Sequence, residues 1–351
     1  MDNTYTGKYG GLRAASLNLL SEEFIEDIAK RESSDFIPTL SQTGYKEEID
    51  RLINAYPMPD SVELIINSHM VGMLSKAYAA MPPLARDFIY AYTRKWDIEN
   101  IKVILSAKVS GYEIGQTEAF LVVQKGMPIS PISGTITSQQ YSEIIGQSGV
   151  EEIINSLVRF GYGAVMLKSI DDYRSTHDLS SILLSLDMYY YQNLVGSLRF
   201  YNGDEGQVAE FVRELIDWKN VISVIKAIQF GKLDAKGFFI SGGSINESQI
   251  YSMLGKEIGA LKGEIPFDID WAFEAYRSDP LITYIDTAIR RSIYLKYLKL
   301  FGSSPSSLSY IMRFILRCEI ERDELRSIWL SKHYGITGQR AESALMTRHI
   351  K

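Results

Sequence analysis

Three short polar sets recur along the chain, and their residue types are the ones that could do acid–base or binding chemistry. Each set is an acid followed three residues later by an amide or a second acid: Asp97 and Asn100, Asp217 and Asn220, Glu321 and Glu324. This spacing places both side chains on one face of a helix. An arginine on the same face precedes each acid by three or four residues: Arg94, Arg213 and Arg317.

Two interpretations of these polar sets stay open. In the structural one, an ion pair and an amide hydrogen bond tie each helical bundle together. In the functional one, three equivalent polar clusters face a common partner. A catalytic centre is normally built once, so threefold use argues against catalysis.

Two acidic clusters could in principle hold a divalent cation through paired carboxylates. One is Asp268 and Asp270 in "DIDW", and the other begins with Asp171 and Asp172 in "DDYRSTHD". In the second, Ser175 stands where the aspartate-rich helices of all-α isoprenoid enzymes place a third aspartate. Helix caps and solvated turns are the structural alternative. A metal-dependent all-α enzyme therefore remains an alternative function.

Other motifs for cofactors and metals are incomplete. No stretch matches a phosphate-binding P-loop, and "GYGAVM" from Gly161 has Met166 where a dinucleotide fingerprint requires its third glycine. The four histidines are far apart in sequence: His69, His177, His333 and His349. The sequence therefore predicts no cofactor, no metal site and no catalytic residue.

The elements that position the polar sets are helices. Four, seven and eight residues after each acid stand apolar residues that form one helical stripe: Ile101, Ile104 and Leu105; Val221, Val224 and Ile225; Leu325, Ile328 and Trp329. Fourteen residues after each acid stands a glycine: Gly111, Gly231 and Gly335. Glycine suits the left-handed position that ends a helix. We therefore predict that three long helices end at these glycines.

A second signature precedes each of these helices. "LLSEEFIEDI", "ITSQQYSEII" and "INESQIYSML" place apolar residues at offsets zero, five and nine from Leu19, Ile136 and Ile245. Each also has a Ser, Thr or Asn near its start that can cap a helix. The two signatures are separated by 78, 81 and 76 residues. A third repeated set of polar residues lies between the two signatures. It consists of Asn67, Asp187 and Asp286, which stand 30, 30 and 35 residues before the acids. Markers in constant order define a repeated module.

The markers predict an all-α protein of three helical modules, residues 1–115, 116–235 and 236–351. Linkers rich in Gly, Pro and Ser are "YEIGQTEAFLVVQKGMPISPISGT" and "KLDAKGFFISGG", with "FGSSPSSLSY" as a further loop. Phe120–Val123 and Phe238–Ile240 are apolar patches within the linkers, and we expect them to dock on a neighbouring module.

Composition limits the classes of partner. At 351 residues the chain is long for one all-helical core, and its formal net charge of −6 repels nucleic acid and anionic lipid. The single cysteine, Cys318, allows no internal disulfide and fits a reducing compartment. The polar start "MDNTYTGKYGG" lacks the apolar core of a secretion signal, and no apolar run reaches the length of a membrane span. We expect a soluble or peripheral protein.

Four segments together resemble one family. "YGGLRAASLNLL", "RKWDIENIKVILSAK", "DWKNVISVIKA" and "EIERDELRSIWLSKHYGI" are similar, in this order, to the helices of the C subunit of archaeal and bacterial A/V-type rotary ATPases, whose eukaryotic counterpart is the d subunit. There are two departures. Glu324 replaces the expected Asn, and Ile228 stands where the other modules have Lys108 and Lys332.

The resemblance implies a fold and a role. Family members are three similar helical domains around a pseudo-threefold axis that form a funnel. The funnel lies on the cytoplasmic face of the membrane, between the central stalk and the proteolipid rotor ring. This chain would then be a non-catalytic, peripheral rotor subunit that transmits torque, coupling ATP synthesis or hydrolysis to proton or other ion transport. The alternative is a helical-repeat scaffold or adaptor with no rotary partner.

The resemblance also suggests where partners would bind. On the polar edge of the repeated helices, the candidate interface residues are Arg94, Lys102, Lys108, Arg326 and Lys332. Lys and Arg on such faces are more often only solvated.

Overall fold

Regular structure in the described part of the chain is helical throughout. The computed structural model describes residues 9–79, 81, 85–111, 136–198, 206–231, 237–301 and 308–346, and each regular element in these ranges is a helix. This confirms the all-α prediction. The linker at 112–135 with Phe120–Val123 lies outside the described residues, as do 232–236 and 302–307 of the other predicted loops.

Groups of short α-helices alternate with pairs of long ones along the described part of the chain. They are α1 Tyr9–Ser16, α2 Glu22–Lys30, α3 Phe36–Leu40, α4 Lys46–Leu52, α5 Asp60–Ala79, α6 Arg86–Ser110, α7 Ser138–Ile145, α8 Val150–Ser156, α9 Gly163–Met166, α10 Ile170–Thr176, α11 Ser180–Leu198, α12 Gly206–Gln229, α13 Glu247–Met253, α14 Asp270–Ser278, α15 Ile282–Leu300, α16 Leu308–His333 and α17 Gln339–Ser343. None of these helices has the length and apolarity needed to cross a membrane.

The chain divides into two compact units. The N-terminal unit comprises Met1–Leu19 and Ser34–Ser197, and the C-terminal unit comprises Leu20–Ser33 and Leu198–Lys351. Helix α2 therefore belongs to the same unit as the last helices of the chain. The division into modules 1–115, 116–235 and 236–351 stays a prediction.

In the N-terminal unit, α6 is the helix that carries the first polar set. Its predicted stripe is buried, with Ile101 and Leu105 fully inaccessible, and α6 packs against α8. Helix α5 packs against α1 and α4 in the same unit. The tyrosines Tyr141 and Tyr162, from α7 and the turn before α9, are also buried. This core surrounds Asp97.

In the C-terminal unit, α12 and α15 make the most extensive helix pair, and α16 packs on both. Phe211 of α12 lies against Tyr294, Tyr297 and Phe301, with ring centroids 5.1–6.0 Å apart. Such aromatic contacts favour offset and edge-on arrangements. The stripes of α12 and α16 are buried as predicted.

The predicted helix ends are confirmed. Gly111, Gly231 and Gly335 have φ of 71°, 67° and 65°, the left-handed conformation that a residue with a Cβ adopts at a cost. At the short helices, Ser21 accepts a hydrogen bond from the N–H of Phe24. Thr137 and Asn246 form full capping boxes at α7 and α13.

The described part of the second linker, residues 237–243, contains no regular helix. Its apolar residues Phe238 and Ile240 are buried, and the Phe238 ring lies edge-on to Tyr251 of α13. The apolar patch thus packs inside the C-terminal unit, next to the short helix that follows it.

Candidate functional site

Asp97 lies at the centre of a buried hydrogen-bonded cluster. The hydroxyl of Tyr141 donates to Oδ1 at 2.7 Å, and the hydroxyl of Tyr162 donates to Oδ2 at 2.9 Å. Burial and the adjacent carboxylate raise the pKa of Tyr141 well above its usual value, against a hydrogen bond from Asn100 that lowers it. Tyr141 therefore keeps its proton and donates. The cluster fastens α7 and the α9 region to α6.

Asp217 occupies the equivalent position of α12 and has different donors. Its oxygens accept from the backbone N–H groups of Ser244 at 3.0 Å and Ile245 at 2.9 Å. Asn220, one turn on, donates to the carbonyl of Ile240 and accepts from its N–H, at 2.8 and 2.9 Å. Burial raises the pKa of Asp217 more than the two N–H groups lower it. The pair holds the chain that leads into α13.

Glu321 occupies the third position, on α16. Its Oε2 accepts from the backbone N–H of Leu20 at 2.6 Å, just before α2. Eleven residues further on, Lys332 donates to the carbonyls of Ala29, at 2.9 Å, and Arg31. One helix thus binds both ends of α2.

The three acids share one kind of contact. Each binds a short capped helix or the residues just before it: Tyr141 of α7, Ser244 and Ile245 before α13, and Leu20 before α2. Asp97 and Asp217 are 0% and 1% exposed and Glu321 is 6% exposed, so each carboxylate needs donors to offset its lost hydration. These donors, like Tyr162 at Asp97, lie outside the acid's own helix.

The arginine predicted to pair with Asp97 contacts another helix. Arg94 donates to the hydroxyl of Tyr189 on α11, at 3.4 Å, and Asp97 accepts from two tyrosines. The ion pair between Arg94 and Asp97 stays a prediction. Tyr141 and Tyr162 were missed because no local pattern links them to a residue 44 or 65 positions earlier.

Two residues of the third repeated set also bind long helices. Asp187 of α11 pairs with Lys102 of α6 at 2.5 Å. Asp286 of α15 accepts from the indole N–H of Trp218 on α12 at 2.7 Å. In each unit, a residue of this set therefore binds the long helix that carries the preceding polar set. Asn67, the first residue of this set, is buried in α5.

The five candidate interface residues differ in how far they are already engaged. Arg94, Lys102 and Lys332 each make the contacts within one unit described above. Arg326 is half-buried on α16, where its charge helps to lower the pKa of Asp323. Lys108 is half-exposed in the last turn of α6. These positions leave Lys108 as the candidate whose described environment best suits a partner.

The acidic clusters lie at the surface and serve local structure. Asp270 pairs with Lys262 at 2.8 Å, and Asp268 is exposed. In the other cluster, Arg174 binds Glu151 and Asp171 at 2.7 and 3.1 Å. Within the ranges that the structure covers, no three His, Cys, Asp or Glu side chains come together as metal ligands.

The "GYG" motif has a packing role. Gly161 turns the chain with φ of 86°, and Tyr162 then donates to Asp97. A Cβ on Gly163 would lie 2.4 Å from the carbonyl oxygen of Ile154 and 2.5 Å from the nitrogen of Val158. The two glycines thus allow the close approach that brings Tyr162 to the buried carboxylate.

The burial of His69 and its position beside Glu48 were not identified from the sequence. His69 of α5 stacks on Tyr45 with ring centroids 3.8 Å apart, and its Nδ1 lies 3.3 Å from Oε2 of Glu48. Burial raises the pKa of Glu48, but the proximity of His69, a backbone hydrogen bond and the charge of Arg51 outweigh burial, so the pKa is lowered overall. His177 has φ of 57° at the end of α10, and His333 ends α16. His349 lies outside the described residues.

Comparison with known proteins matches almost the whole chain. A model of the ATP synthase (C/AC39) subunit family matches residues 10–343. The chain is 39% identical over 342 residues to the C subunit of the A-type ATP synthase of Thermoplasma volcanium, covering 95% of this chain and 96% of the relative. Identity to the same subunit of Thermoplasma acidophilum is 37% over 357 residues, covering 99% of both. For Methanocaldococcus jannaschii it is 21% over 350 residues, covering 96% and 84%.

Proposed function

Because this chain belongs to the ATP synthase (C/AC39) subunit family, we propose that it is a non-catalytic subunit of an A-type ATP synthase complex. The family membership also confirms the resemblance drawn from the sequence. The subunit acts as a socket between the central stalk and the proteolipid ring of the rotor. It transmits torque between them and thereby couples ATP synthesis or hydrolysis to ion translocation.

The observation that carries this proposal is the length of the match. Relatives named as the C subunit of an A-type ATP synthase align over 95–99% of this chain at 37–39% identity. The family model matches residues 10–343. In this proposal the protein binds its partners through surfaces of its helices, on the cytoplasmic face of the membrane.

The contacts between modules support a mechanical role. A protein that carries torque must resist shear between its helices. Buried charge-assisted hydrogen bonds such as those of Asp97 and Asp217 are directional and are stronger than neutral ones. They fix the position of the next module's short helix along the axis of each long helix, which apolar packing alone would restrain less strongly.

The test is binding of the isolated chain to a purified central-stalk subunit pair, followed by size-exclusion chromatography with light scattering at low and moderate salt. We expect a one-to-one complex. A weaker complex at moderate salt would show that charge contributes to it. Absence of a complex at micromolar concentration under both conditions would contradict the socket role and favour the helical scaffold without a rotary partner.

A charge reversal at Lys108 tests whether the end of α6 belongs to the interface with the stalk. Lys108→Glu changes a half-exposed residue at the end of α6, and we expect it to weaken stalk binding by about tenfold, in the range of a close charge pair. Lys168→Glu is the matched control, because Lys168 is exposed on a short 3-10 helix away from the repeated helices. Equal effects of the two reversals would show that Lys108 does not lie in the interface. The binding test alone would then decide the socket proposal.

A further inference from the structure

Helix α2 is separated in sequence from the unit in which it folds. Residues 20–33 belong to the C-terminal unit, but the chain on both sides of them, up to Leu19 and from Ser34, belongs to the N-terminal unit. We propose that residues 20–33 form a strap that detaches from α16 as one body while the rest of the C-terminal unit stays folded. Glu321 and Lys332 set how often it opens. This inference does not depend on the proposed function.

Two polar side chains of α16 hold the strap at its ends. Glu321 binds the N–H of Leu20, and Lys332 binds the carbonyls of Ala29 and Arg31. Eleven residues separate the two contacts on α16 and about as many on the strap, a rise of about 16 Å. The two helices therefore run parallel, and both contacts form together when the strap docks.

Between these two contacts the strap buries few side chains. Helix α2 has nine residues, of which only Ile25 and Ile28 are buried. Two ion pairs, Lys30 with Glu26 and Arg31 with Asp27, are exposed and lie within the strap. A helix this short is not stable alone in water, so detaching and unfolding of the strap coincide.

Part of the free-energy cost of detaching the strap is offset at Lys332. Burial beside the strap lowers the pKa of Lys332, against a raising effect of Glu32. When the strap leaves, the ammonium group returns to water and recovers hydration. The released carbonyls of Ala29 and Arg31 likewise bind water. The polar contacts therefore position the strap without making its release prohibitive.

Native-state hydrogen exchange read by mass spectrometry tests the proposal on the full-length chain. In the wild type, we expect amides of residues 25–30 to exchange at least about 100-fold faster than those in the middle of α12 and α16, because a local opening exposes them before global unfolding does. Equal protection of strap and long helices, with the same response to low urea, would overturn the proposal.

Variants of Glu321 and Lys332 test whether these two side chains hold the strap. Lys332→Met removes the donor to the carbonyls of Ala29 and Arg31, and Glu321→Gln replaces a charged acceptor with a neutral one. Each should speed exchange of the strap by about tenfold and leave α12 unchanged. Lys226→Met is the matched control for the lysine, since Lys226 is exposed in the last turn of α12. Asp217→Asn is the control for the acid, because it should loosen residues 244–245 and not the strap. A control that speeds the strap equally would contradict the assignment.

Discussion

Asp97 and Asp217 are the same residue type at the same position of two repeated helices, yet they are bound by different groups. Asp97 accepts from two tyrosine hydroxyls, and Asp217 accepts from two backbone N–H groups. The repeat therefore keeps the position of the acid, while the chemistry of the donor differs. A side-chain hydroxyl and a backbone N–H can each bind the buried charge.

The two solutions place different demands on the sequence. A tyrosine reaches its acceptor with a long side chain, so the backbone around Asp97 stays at a distance. A backbone N–H is fixed to the main chain, so the main chain itself must lie close to Asp217. At Gly243 a Cβ would lie 2.2 Å from Oδ1 of that carboxylate. The first junction therefore depends on side chains, and the second depends on a residue without one.

The largest expected effect is at the tyrosine junction. Asp97→Ala leaves two buried hydroxyls without their acceptor, and at about 1–3 kcal/mol each the free energy of unfolding should fall by about 4 kcal/mol. Urea unfolding followed by circular dichroism measures it. Asp172→Ala, at an exposed position of α10, is the control and should change little. A loss below about 1 kcal/mol at Asp97 would mean that the cluster does not hold the junction.

The next effect is at the backbone junction. Gly243→Ala forces Asp217 away from Ser244 and Ile245, and we expect a loss of about 3 kcal/mol in the free energy of unfolding. Gly255→Ala is the matched control because no atom lies within 4 Å of its Cβ position. It should be neutral or stabilising by a few tenths of a kcal/mol. Equal stabilities of the two variants would disprove the close-approach requirement.

Taken singly, the two tyrosines have smaller effects. Tyr141→Phe and Tyr162→Phe each remove one donor to a charge, at about 2 kcal/mol. The double variant should lose more than the sum, since the second deletion leaves Asp97 buried without either hydroxyl. A double-mutant cycle in urea measures this coupling, with Tyr173→Phe, on the half-exposed face of α10, as the control. Strict additivity would show that the two hydroxyls act independently.

The smallest effect is a pH dependence at Asp217. Burial raises its pKa in the folded chain above the ordinary 3.8. The folded state thus binds the proton more tightly, so this group contributes stability below about pH 3.8 that is lost as the pH rises through the folded pKa. Asp217→Asn removes this loss. The stability of the variant relative to wild type should therefore rise from acid toward neutral pH in paired urea titrations, and a fall would contradict the pKa direction.

Much of the helical framework follows from local sequence. The left-handed glycines Gly111, Gly231 and Gly335 and the caps Thr137 and Asn246 were predictable because a helix end depends on a few adjacent residues. The buried stripe of α6 followed from its period. The tyrosines that bind Arg94 and Asp97 did not follow from local sequence, because they lie on other helices and turns.

The sequence by itself determined that this chain is a repeated all-α protein of the ATP synthase (C/AC39) subunit family, where its helices end and which of their faces are buried. Only the tertiary structure decided what each buried acid binds, and that α2 folds with α16 at the other end of the chain. Periodicity and capping act over about four residues, so they can be read locally. A buried carboxylate takes its donors from whatever packs against it, and here those donors lie 27 to 301 residues away.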